Sequence, residues 1–260
     1  MKVFYEKAKV ISLKRIGDSY LEIVLENRNI ARWGRPANFV LIKGWENYDP
    51  LLARPFDIVQ ADGETGRFML VIKVTGRGTR LLAKLEDKSE VSVIGPLGKA
   101  IEDFSISRIG LLVRGVGAAA VVLLAEKARE RGIEVYTFLS ASTGSRLVCR
   151  ELLEKYSTEI EIATDDGTIG YHGDARERVS AYLDEPGFDR LYTCGSRRFA
   201  RFVKDMDKQG RIEGYLFLET YMACGMGDCH GCAVGKATGE GYYLVCKDGP
   251  VFRSSDVVID

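Results

Sequence analysis

Histidine is almost missing from this 260-residue chain: His172 and His230 are the only two. Neither lies near Cys194 in sequence, so that cysteine is not expected to act as a nucleophile. As a small residue closing a strand it reads as buried packing. Net charge is missing too, because 37 basic residues meet 37 acidic ones. A balanced chain is a poor candidate for a nucleic-acid groove or a polybasic membrane patch, so neither partner is expected. No apolar run is long enough to span a bilayer, and the first seven residues carry no apolar signal region. Internal repeats and low-complexity tracts are absent. Of six cysteines, Cys149 and Cys194 lie far from the other four and from each other, and the rest of the chain reads as a large enzyme, so no disulfide framework and a reducing, cytoplasmic setting are expected.

Four of those six cysteines gather in one short stretch. Cys224, Cys229 and Cys232 follow the spacing C-x4-C-x2-C, and Cys246 follows after thirteen intervening residues. That spacing suits a [2Fe–2S] cluster held by four thiolates. Gly225, Gly227 and Gly231 would supply the positive-φ backbone and close approach such a wrap needs. Their N–H groups could point at the sulfurs and tune the potential. The alternative is a structural zinc site. Zinc sites more often use two C-x2-C knuckles or cysteine with histidine, and here there is one such knuckle.

The rest of the chain divides in two. Residues 1–102 read as β, with strand patterns at 9–13, 20–25, 39–42, 56–59, 67–74 and 90–94. Turn residues punctuate them at 27–29, 47–50 and 61–63, and one short helix is expected at 79–85. Six short antiparallel strands predict a small closed barrel. From residue 103 strands alternate with helices: strands at 106–113, 133–139, 159–164 and 190–194, helices at 118–131, 145–156, 175–183 and 196–209. That alternation predicts a doubly wound parallel sheet over 103–212. The remainder, 213–260, would be a small module carrying the cysteines.

Two further runs could carry chemistry. Arg54, Pro55, Phe56 and Asp57 open a barrel strand. Val71, Ile72 and Lys73 run into a glycine turn ending at Gly78 and Thr79, where a helix begins. A helix start behind such a turn offers free N–H groups to an anion. Taken in order, the barrel, the Arg-Pro-Phe-Asp run, the turn at 76–79, the Gly-Pro-Leu-Gly turn at 95–98, the doubly wound region and the terminal cysteines resemble the ferredoxin reductase superfamily. The nearest likeness within it is to the iron–sulfur flavoprotein subunits of two-subunit, NAD-dependent dihydroorotate dehydrogenases. The resemblance covers essentially the whole chain.

It implies an FAD-binding barrel in which Arg54–Asp57 and Val71–Lys73 hold the flavin ring and ribityl chain. Gly78 and Thr79 would hold the pyrophosphate. It implies NAD(P)H at the helix start behind Gly115 and Gly117, with Cys194 near the nicotinamide. The activity implied is electron transfer between NAD(H), FAD and a [2Fe–2S] cluster, to or from a partner catalytic flavoprotein. That partner would be an FMN-containing dihydroorotate dehydrogenase chain of pyrimidine biosynthesis, in a hetero-oligomer. Alternatives are the small subunit of a ferredoxin:NADP oxidoreductase or of a sulfide dehydrogenase or sulfhydrogenase, and a regulatory module without nucleotide turnover.

Three positions depart from the family pattern. Asp57 stands where a serine or threonine is usual near flavin N5, and a carboxylate there would disfavour an anionic reduced ring. Arg114 stands where a glycine would let a dinucleotide approach. Ser196 replaces the proline of the usual Cys-Gly-Pro. The run 140–146 after the second α/β strand holds four hydroxyls and Arg146 but no carboxylate. An acidic residue there would select NAD, whereas an arginine can accept the 2′-phosphate of NADP. The expectation is reduction by NADH with discrimination against NADPH within about tenfold.

Overall fold

The computed structural model describes residues 2–184 and 187–259. The first region is one antiparallel sheet of β1 (Phe4–Ile16), β2 (Tyr20–Glu26), β3 (Phe39–Lys43), β4 (Arg54–Asp57), β5 (Gln60–Asp62), β6 (Arg67–Lys73) and β7 (Glu90–Leu97). Helix α1 (Arg28–Trp33) follows β2, and α2 (Arg77–Leu82) follows β6. The strand order is β4-β3-β7-β1-β2-β6-β5. The two edge strands, β4 and β5, are separated in sequence only by Ile58 and Val59. The Ile58 N–H donates to the Asn38 carbonyl at 3.1 Å and the Val59 N–H to the Met69 carbonyl at 2.9 Å. The chain itself thus joins the two edges and closes the barrel. The strand expected at 56–59 is this crossing, bent into two short strands, so seven strands appear where six were expected.

Alternation fills the interior. Leu21, Ile23, Leu25, Phe68, Leu70, Ile72, Val91 and Val93 all lie within it, essentially without exposure. Helix α1 stands where the sequence pattern predicted only a turn. Asn27 suits either role; here its side-chain oxygen accepts from the Ile30 N–H at 3.0 Å and caps a helix that buries Ile30 and Ala31.

The second region runs β8 (Arg108–Arg114), α3 (Ala119–Arg129), β9 (Glu134–Ala141), α4 (Arg150–Tyr156), β10 (Glu159–Thr164), β11 (Tyr171–His172), α5 (Ala175–Ser180), β12 (Arg190–Cys194), α6 (Arg197–Lys208) and β13 (Glu213–Phe217). Its strands are parallel in the order β11-β10-β9-β8-β12-β13. The chain winds outward through β9 and β10, then returns to the other side of β8. The crevice at the C-terminal ends of β8 and β12 is therefore the topological switch point, where ligands of such sheets bind.

The last segment adds β14 (Ala233–Gly235), β15 (Tyr242–Leu244), α7 (Val245–Asp248) and β16 (Val251–Arg253). It does not stand apart. β13 and β16 extend the second sheet, with β16 antiparallel at its edge. Cys232, Leu244, Cys246 and Phe252 share one core with Leu41 and Leu97 of the barrel and Leu112 of β8. Among the described residues no helix is long and apolar enough to cross a membrane.

Candidate redox site

A cleft of about 260 Å³ opens between the barrel, the turn after β8 and the chain leaving β13. It gathers seven of the nine residues expected around a flavin: Arg54, Pro55, Phe56, Asp57, Val71, Lys73 and Thr79. Ile72 is not among them. The period of a strand turns its side chain away from Val71 and Lys73, into the barrel core. Gly78 contributes space rather than contact: a Cβ there would meet Arg54 Nε at 2.9 Å and the Trp45 ring at 3.1 Å. The bare position lets the Arg54 guanidinium stack on Trp45, 5.6 Å from the ring centre. The turn ahead of α2 is locked by Thr79, whose hydroxyl accepts from the N–H groups of Thr75 and Gly76, both at 3.0 Å.

Sequence reasoning missed the far wall, formed by Val116, Leu218, Glu219, Thr220, Met222 and Pro250. Only folding brings this segment to the barrel. The Thr220 hydroxyl is buried without a partner among the described residues, a polar atom free for a ligand to satisfy. Asp57 keeps part of its surface open to the cleft. Desolvation and the nearby Glu219 charge push its carboxyl up to about 7, against its own backbone N–H, which pulls it down.

A second cleft, of about 370 Å³, lies at the switch point and is lined by Thr193, Cys194, Gly195 and Ser196. Leu218, Glu219 and Thr220 line both clefts, so the two abut along this segment. Cys194 is buried, and its Sγ lies 3.7 Å from Glu219 Oε1. Burial first, then the charges of Glu219 and Asp57, hold this thiol far above the usual range. Gly117 proves to be a backbone crossing: a Cβ would lie 2.6 Å from the carbonyl carbon of Cys194 and the nitrogen of Gly195. The turns after β8 and β12 pack on each other there. Gly115, beside that crossing, takes φ +54°, and a Cβ there would meet the Tyr20 hydroxyl at 3.8 Å.

Arg114 reaches across the sheet ends to the Ser140 hydroxyl at 2.8 Å and to the Asp165 carboxylate at 3.1 Å. Asp165 and Asp166 come from the turn after β10, and their N–H groups donate to the carbonyls of Ala141 and Ser142. The carboxylate missing from the run 140–146 is therefore supplied beside it by a different strand. Arg146 folds back on the Ser142 hydroxyl at 3.0 Å.

The cysteine loop begins two residues beyond Met222. Gly225 and Gly227 take φ of +69° and +83°. Gly231 does not; His230 takes the left-handed place at φ +56°. A Cβ on Gly225 would strike Leu41 and Leu97, so the loop rests directly on the barrel. The N–H groups of Met226 and Cys229 point at Cys224 Sγ at 3.4 Å, and that of Gly231 points at Cys229 Sγ at 3.5 Å. Burial opposes ionisation of Cys224, but the N–H groups of Cys229, Met226 and Asp228 outweigh it and hold the thiol down to about 6. Cys246, buried beside Cys232, is pushed up to about 12 by burial and by that neighbour.

Cys232 and Cys246 stand 3.3 Å apart, sulfur to sulfur, and Cys224 pairs with Cys229. Two thiol pairs fit a cluster with two cysteines on each iron better than a closed zinc site. His230 turns away to the Tyr242 hydroxyl, 2.9 Å from Nδ1.

A barrel with an anion-ready turn, a doubly wound sheet and a cysteine loop at their junction define a ferredoxin reductase-like fold. The structure of an NADH-dependent reduced ferredoxin-NADP oxidoreductase studied for flavin-based electron bifurcation superposes with a TM-score of 0.88 at 24% identity, over 97% of this chain and 90% of that one. The cytochrome b5 reductase domain of Ulva prolifera nitrate reductase gives 0.64 at 19% identity, over 80% of this chain and 93% of that one. Residues 219–258 match the family described as the iron-sulfur cluster binding domain of dihydroorotate dehydrogenase B. The electron transfer subunit of dihydroorotate dehydrogenase B (NAD(+)) from Geobacillus thermodenitrificans is 34% identical, over 98% of both chains. Its counterpart from Clostridium acetobutylicum is 30% identical over the full length of both. The chain belongs to the family of dihydroorotate dehydrogenase B electron transfer subunits.

Proposed function

We propose that this chain passes electrons between NAD(H) and a partner catalytic flavoprotein, a dihydroorotate dehydrogenase chain, through FAD and one [2Fe–2S] cluster. In this reading residues 1–102 carry the flavin, 103–212 the nicotinamide and 213–260 the cluster. The carrying observation is convergence. Segment 218–224 lines both clefts and then enters the cysteine loop, so three binding sites meet within seven residues.

Arg54, fixed on Trp45, Thr79 at the turn and the free Thr220 hydroxyl would hold FAD. Cys224, Cys229, Cys232 and Cys246 would hold the cluster. The residues around Gly115, Gly117 and Cys194 would position the nicotinamide. The flavin supplies the conversion between two-electron hydride chemistry and the one-electron chemistry of the cluster. A cytoplasmic setting would keep the four loop thiols reduced until iron arrives.

The test is anaerobic titration of the FAD- and cluster-loaded chain with NADH. Bleaching of the flavin followed by the paramagnetic signal of a reduced [2Fe–2S] centre is expected. Zinc in place of iron and sulfide, or release of FMN instead of FAD on denaturation, would overturn the assignment.

A further inference from the structure

We propose that Asp57 is the proton-accepting group of this redox site, and that Glu219 is the route by which its proton reaches the second cleft. The proposal rests on the flavin reading above.

A hydride is one proton and two electrons. In that reading, oxidation of NADH to NAD+ would release two electrons, which a cluster held by the four cysteines would take one at a time, and the proton left behind needs a base. Asp57 lines the first cleft at the end of β4, and Glu219 lines both clefts. Cys194 hydrogen-bonds Glu219 from the second cleft. In the reverse direction the same proton rejoins two electrons to rebuild the hydride.

Among the described residues no cation forms an ion pair with either carboxylate, although Arg54 and Lys73 line the same cleft. Arg54, on the same strand, is committed to the Leu52 and Ala53 carbonyls and to the Trp45 ring. Lys73, on β6, is exposed, and Phe39, opposite Asp57 on β3, carries no charge. Among the described residues neither Asp57 nor Glu219 joins an ion pair. Two neighbouring carboxylates without a counter-ion do not both ionise freely, so one of them keeps a proton into the neutral range. Asp57, the more desolvated, is that one; its carboxyl sits near 7. A serine or threonine at this position could donate a hydrogen bond but could not store the proton at neutral pH.

The experiment is redox-difference infrared spectroscopy of the full FAD- and cluster-loaded chain at pH 7. A carboxylic-acid C=O band that changes with redox state is expected in wild type and should be lost in both Asp57→Asn and Asp57→Ser. Persistence of the band in either variant, or its absence from a wild type whose flavin reduces normally, overturns the proposal. In Glu219→Gln the pH midpoint of the band should fall, because a neighbouring negative charge is removed; an unmoved midpoint overturns the part given to Glu219. Should the Asp57 variants fail to retain FAD, carbon-13 NMR titration of the flavin-free wild-type chain decides instead. A carboxyl midpoint near 7 supports the assignment and one near 4 overturns it. A wild-type chain that binds no FAD overturns the flavin reading itself and is seen before any band is sought.

Discussion

Asp57 ties the stability of the flavin-free chain to pH in a direction opposite to that of most carboxylates. Burial raises its carboxyl to about 7, so the folded chain keeps a proton that the unfolded chain releases above about pH 4. The stability this contributes is full below pH 4 and is lost as the pH rises through 7. Wild type should lose about 2 kcal/mol more than Asp57→Asn between pH 5 and 8, by urea unfolding of the flavin-free protein. Arg54→Ala should weaken FAD retention and leave the cluster signal intact, because it removes the guanidinium held between Trp45 and the Gly78 turn; bound FAD per cluster is the measurement. At this scale the sequence was most legible where chemistry restricts residue type. All four cysteines of the loop come together in two pairs. It was least legible for Glu219, a single residue whose place in the cleft beside Asp57 depends on folding that joins distant parts of the chain.

Elements were read well where periodicity decides and less well where one residue does. The β8-to-β12 alternation was plain because strand and helix patterns take turns along it, and β8, covered on both faces, is a nearly continuous apolar run. Helix α4 was expected from 145, yet it begins at Arg150. Residues 144–146 form a 3-10 turn, and Cys149 takes the left-handed conformation at φ +58°, which breaks the helical path. No pattern of apolar residues announces that. The crossing of two turns at Gly117 makes its own prediction. Gly117→Ala, with no room for a methyl group, should cost about 1–3 kcal/mol in denaturant unfolding and lower nicotinamide affinity together. The Arg114–Asp165 pair makes another. Asp165 brings a carboxylate to the end of β9, where it would oppose the 2′-phosphate of a nucleotide bound at this sheet end. Asp165→Asn should shift preference towards NADPH by up to about tenfold, about 1.4 kcal/mol, in stopped-flow flavin reduction with each nucleotide.

For the molecule as a whole, the balance of 37 positive and 37 negative charges leaves recognition of the catalytic partner to shape and local contacts rather than to a long-range field. The order of barrel, sheet and cysteine loop could be read from the sequence. The merging of their cores could not, because period and spacing describe segments one at a time. Cys232 and Cys246 are both buried in the core that Leu41, Leu97 and Leu112 share. The metal loop is therefore part of the keel of the molecule and not a cassette hung from its end. Cys246→Ser should accordingly lower the melting temperature of the entire chain in a single calorimetric transition, as well as abolish the cluster signal. A cell short of iron would then not accumulate idle apoprotein awaiting repair. It would lose the polypeptide to proteolysis, and the abundance of this subunit would report the iron supply before any electron had moved.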